Sequence, residues 1–94
     1  MVNMSPAMIT LGGALFSVAG RFSRLEKDLE SGGKRHVQTF YFTLSKSAHP
    51  AQPAIDATFT VDGKTFVIRE VQGADSYVTA WSVRSTRTVI PSED

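Results

Sequence analysis

The dipeptide Asp62-Gly63 stands between two runs in which apolar and polar residues alternate. A two-residue hairpin turn of type I′ needs positive φ at both central positions, and Asp-Gly tolerates this well. Counting outward from the turn predicts these strand pairs: Val61 with Lys64, Thr60 with Thr65, Phe59 with Phe66, and Thr58 with Val67. An aromatic pair on one face and a hydroxyl pair on the other both favour a hairpin.

In the second strand of this hairpin, the inward-facing apolar residues shift from even-numbered to odd-numbered positions. Phe66 and Ile68 share a face, but the next apolar residue is Val71. This shift predicts a β-bulge or strong bend near Arg69-Glu70. After the turn signal of residues 72–76, the alternation predicts a third strand that ends near Val83, with these residues on one face: Tyr77, Thr79, Trp81 and Val83.

The N-terminal half also shows alternation of period two. Ile9–Leu11 followed by Gly12-Gly13 predicts a short strand and a turn. A longer strand follows, with these residues on one face: Phe16, Val18, Gly20 and Phe22. Gly20 predicts a bend or a close approach of two backbones.

The segment Leu25–Glu30 breaks the alternation, and it predicts one helical turn within a loop that ends at Ser31-Gly32-Gly33. The longest regular strand is predicted from Arg35 to Ser45, with Phe40, Phe42 and Leu44 on one face.

The pattern as a whole predicts an all-β fold, a small antiparallel barrel or sandwich of about five to six strands with extended termini and one long loop. A chain of 94 residues makes one domain. We divide it into an N-terminal arm over 1–8, a barrel over 9–84 and a C-terminal tail over 85–94.

Residues that carry chemistry are sparse. The chain has no cysteine, which excludes disulfides and thiolate metal sites. Its two histidines, His36 and His49, have no acidic residue within five positions of either, so we predict no catalytic, cofactor or metal site and no enzyme. The longest apolar window, Ala14–Gly20, is too short to span a membrane, and no membrane partner is expected.

Two other groups of residues are candidates for contacts with partners. Apolar residues lie in segments that the predicted core does not need, and they are expected to dock on neighbouring proteins: Met4, Met8, Leu25, Leu29, Val89 and Ile90. Basic residues lie near aromatic ones on two strands, which is a pattern of nucleic-acid binding: Arg21, Arg24, Lys34 and Arg35.

The order of elements resembles a known family, the small β-barrel head–tail joining and head-closure proteins of tailed bacteriophages of the lambda type. Three segments carry the resemblance over roughly residues 13–83: Phe40–Leu44, the hairpin Asp56–Val71, and the strand Tyr77–Val83. In that family an apolar strand leads into a hairpin of the pattern D-x-hydrophobic-x-hydrophobic-x-G-x-x-aromatic-hydrophobic-hydrophobic-x-x-V, and a final strand ends in an apolar or aromatic residue.

The resemblance implies a viral structural protein that forms a homo-oligomeric ring as the connector at the neck of the virion. Its partners would be identical subunits, a portal or connector adaptor on the head side, and a tail terminator or tail tube on the other. DNA would pass through the lumen without sequence readout. The protein would be located in the virion, and in the host cytoplasm during assembly.

Two alternatives stay open. The chain could be another phage structural protein, for tail completion or capsid decoration. It could also be a single-strand nucleic-acid binding module with an OB-like barrel, as the basic residues suggest.

Overall fold

A computed structural model describes residues 5–27 and 35–89 of the chain. It contains seven β-strands, and the described residues contain no helix. The strands are β1 (Ser5–Leu11), β2 (Ala14–Phe22), β3 (Glu26–Lys27), β4 (His36–Ser45), β5 (Thr58–Val61), β6 (Lys64–Gln72) and β7 (Ala80–Val89). No described helix could therefore cross a membrane.

Six of the strands close into an antiparallel β-barrel. Their order in space is β2-β1-β5-β6-β7-β4, and β4 pairs back with β2 to close the circle. β3 adds a short strand to the free side of β4. The hairpin-connected strands β5, β6 and β7 bring β7 beside β4, which is a Greek-key arrangement. The all-β prediction is confirmed, and of the two predicted architectures the structure is a barrel and not a sandwich.

The hairpin at Asp62-Gly63 forms with the predicted register. Phe59 faces Phe66 and Thr60 faces Thr65. Both turn residues have positive φ, 52° for Asp62 and 75° for Gly63, as a type I′ turn requires. The predicted bulge is also present, because the pairing of β6 with β7 shifts register between Ile68 and Glu70.

Replacing Gly63 with alanine is expected to lower the free energy of unfolding by about 1–2 kcal/mol, because alanine has a steric cost at positive φ. No atom lies within 4 Å of the position that its Cβ would take, so the cost comes from the backbone alone. Urea denaturation measures it, with Asp62→Asn as the control, since Asn-Gly suits the same turn. Equal stability of Gly63→Ala and the parent would contradict the turn assignment.

The core fills the inside of the barrel with alternate residues of every long strand. Its buried apolar residues are Ile9, Leu11, Val18, Phe40, Phe42, Leu44, Phe59, Val61, Phe66, Ile68, Trp81 and Val83. Ser85 is the buried polar residue of this set, and its hydroxyl donates a hydrogen bond to the carbonyl oxygen of Phe40 at 2.8 Å. That bond removes the cost of burying the hydroxyl.

Gly20 lies against this core as predicted. A Cβ built at Gly20 would stand 2.5 Å from Cζ of Phe40 and 2.9 Å from Cβ of Phe42. The side chain that is missing at position 20 thus makes room for the Phe40 ring.

Strand limits at both ends of the chain differ from those predicted. β1 begins at Ser5, inside the segment predicted as an arm, and β7 continues to Val89, past the predicted end of the barrel at residue 84. Pro6 is tolerated in β1 because that part of the strand has β2 on one side only. In β7 the next two inward positions after Val83 are the polar residues Ser85 and Arg87, so the apolar alternation that marks a strand is interrupted there.

Two local predictions were wrong. Glu26–Lys27 is a strand and not part of a helical turn, because it pairs with Val37 and His36; residues 28–34 lie outside the described part of the chain. Tyr77 does not face the core and is 91% exposed. Its N–H is bound by the carboxylate of Asp75 in a turn, and the strand starts only at Ala80.

Candidate interaction surfaces

The antiparallel order of the strands gives the barrel two ends. The upper end contains the turn between β1 and β2, the loop 46–57 and the connection 73–79. The lower end contains the Asp62-Gly63 turn, the end of β2 and the start of β4. β7 leaves the barrel at this lower end, so its last residue, Val89, lies there together with His36, with which it pairs.

An aromatic cluster reaches the surface at the lower end through Phe22. Its ring lies 4.6 Å from the ring of Phe40 and 5.7 Å from that of Phe66, measured between centroids. Both of these partners are fully buried, whereas Phe22 is 39% exposed. The apolar interior of the barrel therefore continues into an accessible surface at this end.

A groove of about 470 Å³ opens beside Phe22. We call it the lower groove, and it is lined by Pro6, Ala7, Met8, Gly20, Arg21, Phe22, Phe40, Val61 and Asp62. It exists because β5 ends at Val61 and pairs with β1 only over Ile9–Leu11. The earlier part of β1 thus has no strand on that side among the described residues.

The lower end is rich in basic side chains. They are Arg21, Arg24, Arg35, Lys64 and Arg87, and Asp62 is the acidic side chain described beside them. Lys64 lies over the ring of Phe22 at 5.4 Å and 3.7 Å from the Asp62 carboxylate. Arg87 lies 5.9 Å from the Phe66 centroid, and its Nε donates to Gln38 at 2.9 Å. A cation therefore lies over the exposed aromatic ring of Phe22.

Two other arginines on the barrel wall are paired with carboxylates. Arg69 lies 3.5 Å from the Asp56 carboxylate, and Arg84 lies 3.3 Å from that of Glu70. These ion pairs are solvent-exposed and contribute little stability.

The outer wall has one row of directly opposed side chains across four strands. Arg21 of β2 faces Tyr41 of β4, Tyr41 faces Arg84 of β7, and Arg84 faces Glu70 of β6. The guanidinium of Arg21 lies 4.9 Å from the Tyr41 ring centroid. A shallow groove of about 310 Å³ runs along this row. Tyrosine and arginine at such a site are the residues that dominate many binding interfaces.

Apolar side chains are also exposed at the upper end. They are Leu15, Ile55, Tyr77 and Val78. They do not belong to the core cluster. Among the described side chains, both ends of the barrel thus expose apolar surface, and basic residues outnumber acidic ones at the lower end.

The predicted docking residues fall into two groups. Met8 lines the lower groove, Leu25 is exposed at the same end, and Val89 is half-buried at the end of β7. Met4, Leu29 and Ile90 lie outside the described residues. Of the predicted basic residues, Arg21, Arg24 and Arg35 lie at the lower end, and Lys34 lies outside the described part.

Three residues of these surfaces were missed by the sequence analysis: Lys64, Arg84 and Arg87. The alternation placed Phe22 in the core, but it could not show that the groove uncovers its ring. Lys64 was assigned only to the hairpin, although its position next to the turn was a usable signal for the lower end.

One of the two histidines, His49, takes part in packing. The ring of His49 meets the ring of Phe16 edge-on, with centroids 5.1 Å apart. Its backbone carbonyl accepts a hydrogen bond from the Trp81 indole at 2.9 Å. Among residues 5–27 and 35–89 no cluster of three or more histidine or acidic side chains could hold a metal ion.

Comparison of the chain with models of protein families, with curated proteins and with solved structures found no match.

Proposed function

We propose that this protein is a structural, non-enzymatic component of a tailed-phage particle that forms a ring at the neck, between the portal or connector adaptor and the tail. The observation that carries the proposal is the exposure of apolar side chains at both ends of a closed barrel. A subunit that stacks between two other rings needs a contact surface at each end, and exposed apolar patches are typical of such contacts.

The closed barrel itself favours contacts through ends and grooves. Closing a sheet removes most of its unpaired strand edges, so neighbours are joined by side chains, loops and the few edges that remain. In this chain those features lie at the two ends and in the lower groove. Identical subunits arranged head to tail around an axis would form a ring of this kind.

The excess of basic residues at the lower end fits contact with DNA that passes through a lumen. Arginine and lysine bind phosphates without reading sequence, so they suit DNA that must slide through. We place the protein at the neck of the virion, after assembly in the host cytoplasm.

The proposal predicts a specific defect when the gene is deleted from the phage that encodes it. Negative-stain images should show DNA-filled heads and separate tails, and expression of the protein in trans should restore joined particles. Tyr77→Glu should restore them poorly, because it places a charge at the most exposed apolar site, whereas Thr79→Ser serves as a nearby control. Complete particles in the deletion strain would exclude the neck role and favour capsid decoration; joined particles with defective tails would favour tail completion.

One observation favours a second candidate function, that of a single-strand nucleic-acid binder. Phe22 with Lys64, and Tyr41 with Arg21, each combine an exposed ring with a cation, as single-strand binders do. A labelled oligonucleotide that binds with a steep salt dependence, and less tightly to Phe22→Ala, would support it.

A further inference from the structure

We propose that the lower groove binds an extended segment of a second copy of this chain, the residues that follow Val89, by adding a short strand to the free edge of β1. This rests on the self-assembly part of the proposed function. Three features support it: the backbone groups of β1 that no described strand pairs with, the chemistry of the groove, and the place where β7 ends.

The hairpin between β1 and β2 fixes which backbone groups of β1 are unpaired. Leu11 and Ala14 close a two-residue turn and form a hydrogen-bonded pair. Because such pairs alternate along an antiparallel ladder, Ile9 and Ala7 direct their N–H and C=O groups toward β2. Met8 directs both groups away from β2, toward the lower groove, and so does the C=O of Pro6, which has no N–H.

β5 satisfies this edge only in part. Its register with β1 ends at Ile9 and Val61, where the chain turns away at Asp62. The N–H of Met8 and the C=O of Pro6 lie beyond that last pair, and no strand of the described chain covers them. An added strand can form hydrogen bonds with a donor and an acceptor that stand two residues apart in this way. Strand addition to such an edge is a recurring mode of peptide recognition.

The groove beside this edge is apolar at its floor and basic at its rim. Phe22, Phe40 and Val61 line it, and the missing side chain of Gly20 keeps it open next to the Phe40 ring. Arg21 and Asp62 line it as well, and Lys64 lies over Phe22 and 3.7 Å from the Asp62 carboxylate. Two cations and one carboxylate therefore stand at the rim. A ligand with an apolar residue followed by carboxylates would match both features.

The chain carries such a sequence directly after β7. Residues 90–94 are Ile90-Pro91-Ser92-Glu93-Asp94, one branched apolar residue followed by two acidic ones. Ile90 fits the apolar floor, and Glu93 and Asp94 complement the cations at the rim. Pro91 has no N–H and cannot donate a backbone hydrogen bond. The proposed pairing tolerates this, because it needs only two backbone hydrogen bonds.

The position of β7 indicates that the segment binds in trans. β7 lies three strands from β1 in the closed order, on the opposite wall of the barrel. Its pairing with β4 continues four residues below Ser85 and Phe40, about 13 Å further along the strands. Val89 therefore lies at the lower end on the wall opposite its own groove, where a neighbouring subunit would be within reach of the residues that follow it.

The first test measures peptide binding to protein truncated after Val89, which keeps every described strand. A fluorescent peptide with the sequence of residues 88–94 should bind, and the Ile90→Asp peptide should bind about tenfold more weakly or worse. Met8→Pro removes the exposed N–H without touching the β2 ladder and should weaken binding about 3- to 10-fold. Met8→Leu, which keeps the N–H, is the matched control.

Lys64→Glu is a second groove variant in case Met8→Pro fails to fold. It reverses a charge at the rim, so it should lower the affinity for the peptide of residues 88–94. The loss should be smaller for the same peptide carrying Glu93→Gln and Asp94→Asn, which lacks the acidic charges. Light scattering should also show that the full chain self-associates and that the truncated chain does not. The inference is overturned if the peptide fails to bind, if neither groove variant changes its affinity, or if truncation leaves the mass unchanged. Peptide binding by a protein that plays no part in joining heads to tails would overturn the neck role alone.

Discussion

Replacing Phe40 with alanine is expected to lower the free energy of unfolding by about 3–5 kcal/mol. The Phe40 ring is 1% exposed and lies between four other phenylalanines, with centroid distances of 4.6 Å to Phe22, 5.5 Å to Phe42 and 5.7 Å to Phe66. Removing it leaves a cavity in the middle of the barrel that rigid neighbouring strands cannot close. Urea denaturation followed by the fluorescence of Trp81, the single tryptophan, would measure the loss.

Tyr41→Thr is the matched control for this variant. Tyr41 lies on the same strand but points outward, and threonine keeps a high strand propensity, so we expect a loss below about 1 kcal/mol. If Phe40→Ala unfolds the chain completely, Phe40→Leu gives a smaller loss that can be measured. Similar small losses for both Phe40 variants and the control would mean that the aromatic cluster is not the centre of the core.

Gly20→Ala is expected to destabilise the protein by about 1–3 kcal/mol, although glycine to alanine usually stabilises a strand. The new Cβ would lie 2.5 Å from Cζ of Phe40 and 2.9 Å from Cβ of Phe42. The Phe40 ring is held by its aromatic neighbours, so it cannot move away without cost. Thermal and urea unfolding would measure the change.

A double-mutant cycle identifies the cause of that loss. Because leucine lacks the outer ring atoms, Gly20→Ala should cost less in a Phe40→Leu background, with a coupling of about 0.5–3 kcal/mol. Ala19→Val, at the outward-facing neighbour, should stay within about 0.5 kcal/mol of the parent. A stabilised Gly20→Ala protein would show that the approach of β2 to Phe40 is looser than described.

Local patterns in the sequence were sufficient to predict the hairpin. Asp62-Gly63 specified the turn, the alternation specified the register, and the change of parity after Ile68 specified the bulge. These features depend on residues that are near each other in the chain, so their chemistry is readable without tertiary information. The close approach at Gly20 was predicted for a similar reason, since a glycine inside an alternating strand often marks a position where a side chain does not fit.

Two of the misses arose where tertiary contacts override the local pattern, and a third arose from a local turn. Glu26–Lys27 reads as a polar helical turn, yet pairing with β4 makes it a strand. Ser85 reads as the start of a tail, but a hydrogen bond to the Phe40 carbonyl, 45 positions away in sequence, allows it to be buried. Tyr77 fits the alternation of β7, but the local hydrogen bond to Asp75 holds it in a turn instead.

The candidate surfaces could be predicted only in part. Arg21 and Arg24 were identified from their closeness to aromatic residues. Arg84 was not, because it reaches Tyr41 only when β7 pairs with β4. The lower groove depends on where β5 stops relative to β1, a distance that no pattern within either strand encodes.

The measurement that tests the central proposal most directly is the mass of the purified protein by light scattering, alone and after mixing with portal-bearing, DNA-filled heads, followed by imaging of those heads. The neck role predicts a ring of this protein at the portal vertex of each filled head. A protein that stays in solution and leaves the heads unchanged would contradict it.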